Sequence, residues 1–184
     1  MKDSLKILSY NIWFGKYKNE KRMKGLSNIL KAEKADVIAL QEVTLELWQL
    51  LLFHCKDLFQ EYTISSAPGL LGGYYTMLLI HHHLNCTNII REEFEDGYQD
   101  RDLLSSKIIL KTSQGDIKVS IATAHLESMS ENKRIRARQF KYCLNTLSED
   151  IEKTSECIFM GDMNMPDQDE AEVILAQEEY NNLL

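Results

Sequence analysis

Cys157-Ile158-Phe159-Met160-Gly161-Asp162-Met163-Asn164 brings an apolar run into a glycine, and a carboxylate and a carboxamide follow two residues apart. The run reads as a buried strand that delivers Asp162 and Asn164 to the end of a sheet, with Gly161 letting the chain turn. Side chains two apart on a strand point to the same face, so both polar groups are expected at one site. Each offers an oxygen donor of the hard kind that suits Mg²⁺ or Mn²⁺ and a polarised water. The same residues also suit a strand followed by an ordinary turn, because Gly, Asp and Asn favour turns. Taken alone, the stretch leaves the two readings level.

Three other strand-like runs end in a similar way. Leu5 to Ile12 ends near Asn11, Asp36 to Val43 carries Glu42 close to its end, and Ile117 to Leu126 ends in His125, with Ser128 just beyond. A polar residue at a strand end often means only that water is there. Four endings of one form point instead to a shared site, because loops gather beyond strand ends and carry function. The chemistry these groups suit is metal-assisted hydrolysis of a phosphate ester. Glu42 would hold a divalent cation and Asp162 would take a proton from the attacking water. Asn11, Asn164 and His125 would orient water and phosphate. Positioning and charge neutralisation carry most of the rate in such reactions.

The remaining chain supplies layers around these strands. Met23, Leu26, Ile29 and Leu30 recur at helical spacing, which predicts a helix over residues 20–33. Thr44 is a suitable N-cap for a helix whose face holds Leu45, Trp48, Leu51, Leu52, Cys55 and Phe59. Short strands are predicted over residues 62–65, 74–80, 85–95 and 103–110, with a glycine-rich loop over 67–73. A turn at Ser113-Gln114-Gly115-Asp116 joins the last of these to the strand that begins at Ile117. Helices are predicted over residues 130–153 and 168–182. Helices interleave with strands at both ends, while the middle runs through consecutive strands. This predicts an α/β fold of two mixed sheets packed on each other with helices outside, rather than a doubly wound parallel sheet.

With 184 residues and 44% apolar content, residues 1–184 are expected to form one well-cored domain. A net charge of −7 argues against a protein that coats duplex nucleic acid, since phosphate neutralisation drives such binding. It does not exclude an enzyme that works on a nucleic-acid end. Cys55, Cys86, Cys143 and Cys157 include no Cys-x-x-Cys pair and fall in apolar runs, which fits reduced core thiols in the nucleus and cytoplasm. No stretch reads as a membrane span or signal peptide, and there is no repeat, linker or visible boundary.

At the strand ends the sequence resembles a known family. Leu8-Ser9-Tyr10-Asn11-Ile12-Trp13, Leu40-Gln41-Glu42-Val43, Thr123-Ala124-His125-Leu126-Glu127-Ser128 and Gly161-Asp162-Met163-Asn164 follow, in order, motifs of the endonuclease/exonuclease/phosphatase superfamily. Gly73-Tyr74-Tyr75-Thr76-Met77-Leu78-Leu79, Arg101-Asp102-Leu103-Leu104, Arg136-x-x-Gln139 and the His-Leu-Glu-Ser form are most similar to its tyrosyl-DNA phosphodiesterase 2 branch. The resemblance implies a four-layered α/β sandwich and a Mg²⁺-dependent enzyme, with Mn²⁺ as a substitute. Its partner would be a DNA 5′ end bearing a tyrosine or peptide adduct, left when a type II topoisomerase is trapped. The resemblance assigns catalysis to Asn11 and Asp162 and metal binding to Glu42. It places His125, Ser128 and Asn164 around the scissile phosphate. The family continues beyond its Gly-Asp-x-Asn strand with further strands and a Ser-Asp-His motif, which does not occur here. The expectation is therefore a domain whose C-terminal part is missing, with no ubiquitin-binding region ahead of it. Met165-Pro166-Asp167 stands where the family often has Leu-Arg-Asp.

Other features divide between solvated surface and substrate contact. Lys133, Arg134, Arg136, Arg138 and Lys141 form a basic cluster, read either as a solvated helix face or as a phosphate contact through Arg134 and Arg138. Trp13 and Phe14 are expected to be partly buried, with Trp13 able to flank a stacked base. His81-His82-His83 reads as an exposed strand end rather than a zinc site, since neighbours on a strand alternate sides. A monomer is expected. The competing readings are a lipid or inositol phosphate phosphohydrolase, an abasic-site endonuclease, and a non-catalytic DNA-binding remnant.

Overall fold

Alternate residues of the strand Val37–Val43 serve two different cores. Val37 and Ala39 pack to one side, Ile38 and Leu40 to the other, and all four are fully buried. A strand covered on both faces must be apolar almost throughout, and this one is. In the computed structural model, which describes residues 4–66, 73–151 and 156–166, both faces are covered for this reason.

The elements in chain order are β1 (Ile7–Asn11), α1 (Asn19–Glu33), β2 (Val37–Val43), α2 (Leu45–Phe59), β3 (Tyr62–Ile64), β4 (Tyr75–His81), β5 (Ile90–Glu93), β6 (Asp102–Thr112), β7 (Gly115–His125), α3 (Lys133–Ile151) and β8 (Glu156–Asp162). They form two four-stranded sheets, ordered β1-β2-β4-β3 and β5-β6-β7-β8. In each sheet one outer pair is parallel, β1 with β2 and β7 with β8, and the other pairings are antiparallel.

Three cores stack to give four layers. Met23, Leu26 and Leu30 of α1, with Leu47, Leu51 and Phe59 of α2, cover Ile38, Leu40 and Leu79 of the first sheet. Val37, Ala39, Leu78 and Ile80 meet Leu104, Ile108, Val119, Ile121 and Met160 between the sheets. Cys143 and Leu147 of α3 lie on Leu103, Ala122 and Ala124 of the second sheet. Truncating a fully buried leucine such as Leu51 costs roughly 2–5 kcal/mol. The four-layered α/β sandwich expected from the sequence is the observed fold.

Local signals set most boundaries. Thr44 caps α2, its hydroxyl accepting the Leu47 N–H at 3.2 Å. Ser113 and Gln114 make the tight turn between β6 and β7, with Thr112 paired to Gly115. The four cysteines are free thiols, as expected, and burial pushes Cys143 up to about 12.

Some boundaries differ from the sequence reading. The strand expected over 85–95 contracts to Ile90–Glu93, because His82–Leu84 form a 3₁₀ turn capped by Asn85 at φ 45°. The helix expected from residue 130 begins at Lys133, after a 3₁₀ turn over Ser130–Asn132. The helix expected over 168–182 and most of the loop over 67–73 lie outside the described residues.

Candidate active site

Parallel pairing brings the four strand ends together. β1 and β2 run side by side with Asn11 opposite Gln41, which places Asn11 next to Glu42. In the other sheet β7 and β8 run side by side with His125 opposite Asp162. The Asn11 amide joins the two sheets: Nδ2 donates to Glu42 Oε1 at 2.9 Å and to Asp162 Oδ2 at 2.8 Å. His125 Nε2 lies 4.0 Å from Glu42 Oε1 and 3.8 Å from Asp162 Oδ2. The cluster opens into a cavity of about 480 Å³ lined by Ser9, Asn11, Gln41, Asp162, Asn164 and Pro166. A more apolar groove lined by Tyr10, Trp13, Met23, Leu26 and Ile29 also reaches Asn11.

Backbone irregularities aim these side chains. The β2–β4 register shifts between Leu40 and Val43, and Glu42 sits there at φ 60°. A bulge of this kind redirects a side chain, and left-handed backbone at a non-glycine residue costs on the order of 1 kcal/mol. Trp13, at φ 58°, turns its N–H onto Asn11 Oδ1 at 2.9 Å, and the Phe14 N–H follows onto Glu42 Oε2 at 3.0 Å. The Asn11 amide is thus fully engaged, its oxygen accepting and its nitrogen donating twice.

Arg22 of α1 fastens this loop from below. Its guanidinium donates to the carbonyls of Ile12 and Trp13, to Gly15 O at 2.8 Å and to Tyr17 O at 3.0 Å. The Trp13 ring covers it at 4.8 Å. On the other sheet Gly161, at φ 141°, brings β8 close to β7; a Cβ there would lie 2.0 Å from the Ala124 carbonyl oxygen.

The electrostatics centre on His125, which is 3% exposed. Arg101 Nη1 lies 2.8 Å from its Nδ1, and the same guanidinium reaches Gln99 Oε1 at 2.8 Å and Tyr74 Oη at 3.2 Å. Burial, followed by the Arg101 charge, lowers the imidazole to about 4, against the opposing pull of Asp162 and Glu42. His125 is therefore neutral at pH 7, facing two carboxylates.

The other residues singled out in the sequence take varied places. Asn164 lines the cavity, but not through strand alternation, because β8 stops at Asp162. Asn164 sits at φ 49°; its N–H donates to Asp162 Oδ1 at 3.0 Å and its amide to Leu126 O at 2.9 Å. It braces Asp162 and the end of β7. Ser128 does not touch the cluster: its N–H and hydroxyl both donate to Gln99 Oε1, at 3.0 and 2.9 Å.

Trp13 and Phe14 are 50% and 46% exposed, and Phe14 stacks on Tyr74 with centroids 4.6 Å apart. The basic cluster is not one face. Arg136 is buried and donates to the carbonyls of Glu127 and Met129, Arg138 is paired with Asp96, and Arg134 is exposed.

Sequence reasoning gave no role to Arg22 or Gln99, and reached Arg101 and Tyr74 only through the resemblance. Each acts across a long span of chain or from a loop, so no local pattern marks it.

The donor set fits a hard dication. Glu42 and Asp162 converge with a neutral imidazole and a carboxamide, leaving negative charge at the cavity uncompensated by those neighbours. Among the described residues no three His, Cys, Asp or Glu side chains form a closed metal-binding group. An ion such as Mg²⁺ needs only one or two carboxylates, keeping water and substrate oxygens for the rest.

Two packed sheets pooling such groups at the ends of their parallel strands define a class. The chain belongs to the endonuclease/exonuclease/phosphatase family, whose sequence model matches residues 8–171. Within that class its relatives are of one kind. The 5′-tyrosyl-DNA phosphodiesterase of Caenorhabditis briggsae is 28% identical over 155 residues, covering 80% of this chain and 40% of the relative. Tyrosyl-DNA phosphodiesterase 2 of Gallus gallus is 25% identical over 154 residues, covering 84% and 39%. The crystal structure of TDP2 from C. elegans superposes with a TM-score of 0.76 at 25% identity, over 89% of this chain and 49% of that one. The structure of D. rerio TDP2 complexed with a single-strand DNA product gives a TM-score of 0.72 at 25% identity, over 94% and 65%. The chain spans about 40% of the length of the curated relatives it matches.

Proposed function

We propose that residues 1–184 act as one catalytic unit, a Mg²⁺-dependent phosphodiesterase that hydrolyses the bond between a tyrosine and a DNA 5′-phosphate. Mn²⁺ would substitute. The single observation behind this reading is the Asn11 amide held between Glu42 and Asp162, with His125 within 4.0 Å of both carboxylates. The relatives named for 5′-tyrosyl-DNA phosphodiesterase activity, and the TDP2 structure with single-strand DNA product, support the choice of substrate.

Glu42 would hold the cation, with Asp162 beside it. When bound, the ion neutralises charge on the phosphate and on the departing phenolate. Asp162 accepts the proton of the attacking water. Its two oxygens are fixed by Asn11 and by the Asn164 N–H, so the carboxylate cannot swing away. His125 offers Nε2–H to a phosphate oxygen. Trp13 presents an exposed face beside Asn11 on which an unpaired base can stack. Arg134 supplies a phosphate contact further along the strand. The DNA partner carries a tyrosine or peptide adduct left by a trapped type II topoisomerase, the enzyme acts as a monomer, and it works in the nucleus and cytoplasm. Among the described residues no helix is long and apolar enough to cross a membrane.

The test offers the chain three substrates in parallel with Mg²⁺: a 5′-phosphotyrosyl oligonucleotide, an abasic duplex, and an inositol phospholipid. Release of tyrosine from the first alone is expected. Turnover of the lipid or the abasic duplex alone would replace this reading with another phosphoesterase activity. DNA binding without turnover of any substrate would replace it with a binding role.

A further inference from the structure

A second polar cluster lies at the opposite end of the first sheet. β4 is antiparallel to β2 with Ile80 opposite Val37, so His81 sits beside Asp36. Six residues of β2 separate Asp36 from Glu42, about 20 Å at strand spacing. The strand ends at His81, and the 3₁₀ turn over His82–Leu84 folds His83 back onto it. The two rings meet with centroids 4.4 Å apart, which strict alternation along a strand would forbid.

The hydrogen bonds assign the protons. The His83 N–H donates to His81 Nδ1 at 3.2 Å, so that nitrogen carries a lone pair. His81 then has its proton on Nε2, which lies 3.1 Å from Glu61 Oε2. His83 Nε2 lies 3.2 Å from Asp36 Oδ1, a contact that also needs the proton on nitrogen. Asp36 is itself buried and held by the Lys6 N–H at 2.7 Å. Both Nδ1 atoms are left facing each other 2.7 Å apart. Two lone pairs at that distance repel unless a cation lies between them, and the cation is a shared proton or a metal ion.

A histidine that binds a metal usually donates its other ring N–H to a carboxylate, which sets the tautomer and raises the basicity of the ligating nitrogen. Both histidines here have that arrangement. The wall behind them is firm, because Tyr62 packs edge-on against His81 and its hydroxyl is tied to Ala35 O at 2.6 Å.

We propose that His81 and His83 form a binding site for a borderline divalent metal ion, Zn²⁺ or Cu²⁺, separate from the carboxylate cluster. Two nitrogens are its protein ligands, Glu61 and Asp36 orient them, and water completes the shell. Imidazole selects such ions over Mg²⁺. Binding displaces the shared proton to solvent, one proton for each ion bound.

The test is a Zn²⁺ titration of the full, reduced, chelator-treated chain at pH 7.5 against a chromophoric competitor. Proton release is read from the dependence of the binding heat on buffer. One equivalent is expected to bind with release of one proton. His81→Gln and His83→Gln should each weaken binding more than about tenfold, and the exposed Glu61→Gln about tenfold. His82→Gln and the Glu42→Gln/Asp162→Asn pair should leave it unchanged. Circular dichroism of each variant establishes that it is folded. Failure of the folded chain to bind Zn²⁺, or binding that survives the His81→Gln/His83→Gln double variant, would overturn the proposal.

Discussion

Arg101 Nη1 lies 2.8 Å from Nδ1 of His125, and because a guanidinium can only donate, the imidazole proton must sit on Nε2. That N–H points towards Glu42 and Asp162. The folded chain protonates His125 only near pH 4, whereas an unfolded histidine does so near 6.5. Between these values the unfolded state binds more protons, so stability is full above pH 6.5 and is lost as pH falls towards 4. The loss is on the order of 3 kcal/mol. Urea unfolding of the chain and of His125→Gln between pH 4.5 and 8 checks this. The wild-type chain should lose stability relative to the variant below pH 6.5, and parallel curves would show that the ring titrates normally.

Arg22 gathers the carbonyls of the loop whose amides hold Asn11 and Glu42. Lysine cannot reproduce that fork. Arg22→Lys in a Trp48→Phe background should therefore red-shift the Trp13 emission and lower kcat for the phosphotyrosyl substrate by roughly 10–100-fold. Emission and kcat unchanged by the substitution would show that the loop holds itself.

Glycines 25 and 161 should respond in opposite directions. A methyl group at Gly161 meets the Ala124 carbonyl oxygen at 2.0 Å, whereas one at Gly25 on α1 meets nothing within 4 Å. Gly161→Ala should cost about 2 kcal/mol or more, and Gly25→Ala should add roughly 0.5–1 kcal/mol. Thermal melts of the two variants provide the comparison.

Arg134 and Arg138 should not be equivalent towards DNA. Arg138 is already paired with Asp96, while Arg134 is exposed. Arg134→Glu should weaken single-strand binding and reduce the slope of log affinity against log salt by about 0.7. Arg138→Glu should change that slope less. Titrations at several salt concentrations measure both.

Much of this was legible in the sequence. The layers follow from apolar runs buried on both faces, as in Val37 to Leu40, flanked by helices of amphipathic spacing. The site followed because Asn11, Glu42, His125 and Asp162 all end strands. Parallel pairing, which one sequence does not reveal, is what sets those ends side by side. The failures share a cause, in that side-chain alternation was carried past the point where the strand stops. Asn164 reaches the cavity through a left-handed loop residue, and His81 meets His83 through a 3₁₀ turn. Arg136 entered the basic cluster by composition, yet it is buried as a scaffold for the carbonyls after His125. Gln99 and Arg22 bond to backbone or side chains far away in sequence, and nothing near them signals it.

The most direct test is single-turnover release of tyrosine from a 5′-phosphotyrosyl single-stranded oligonucleotide, measured across a Mg²⁺ titration for the chain and for Asn11→Ala, Glu42→Gln and Asp162→Asn. Release is expected to require the dication and to fall at least about 10²-fold in each variant, with DNA binding retained. Release that persists in EDTA, or that is untouched by Glu42→Gln and Asp162→Asn, would contradict a shared metal-and-proton site at these strand ends.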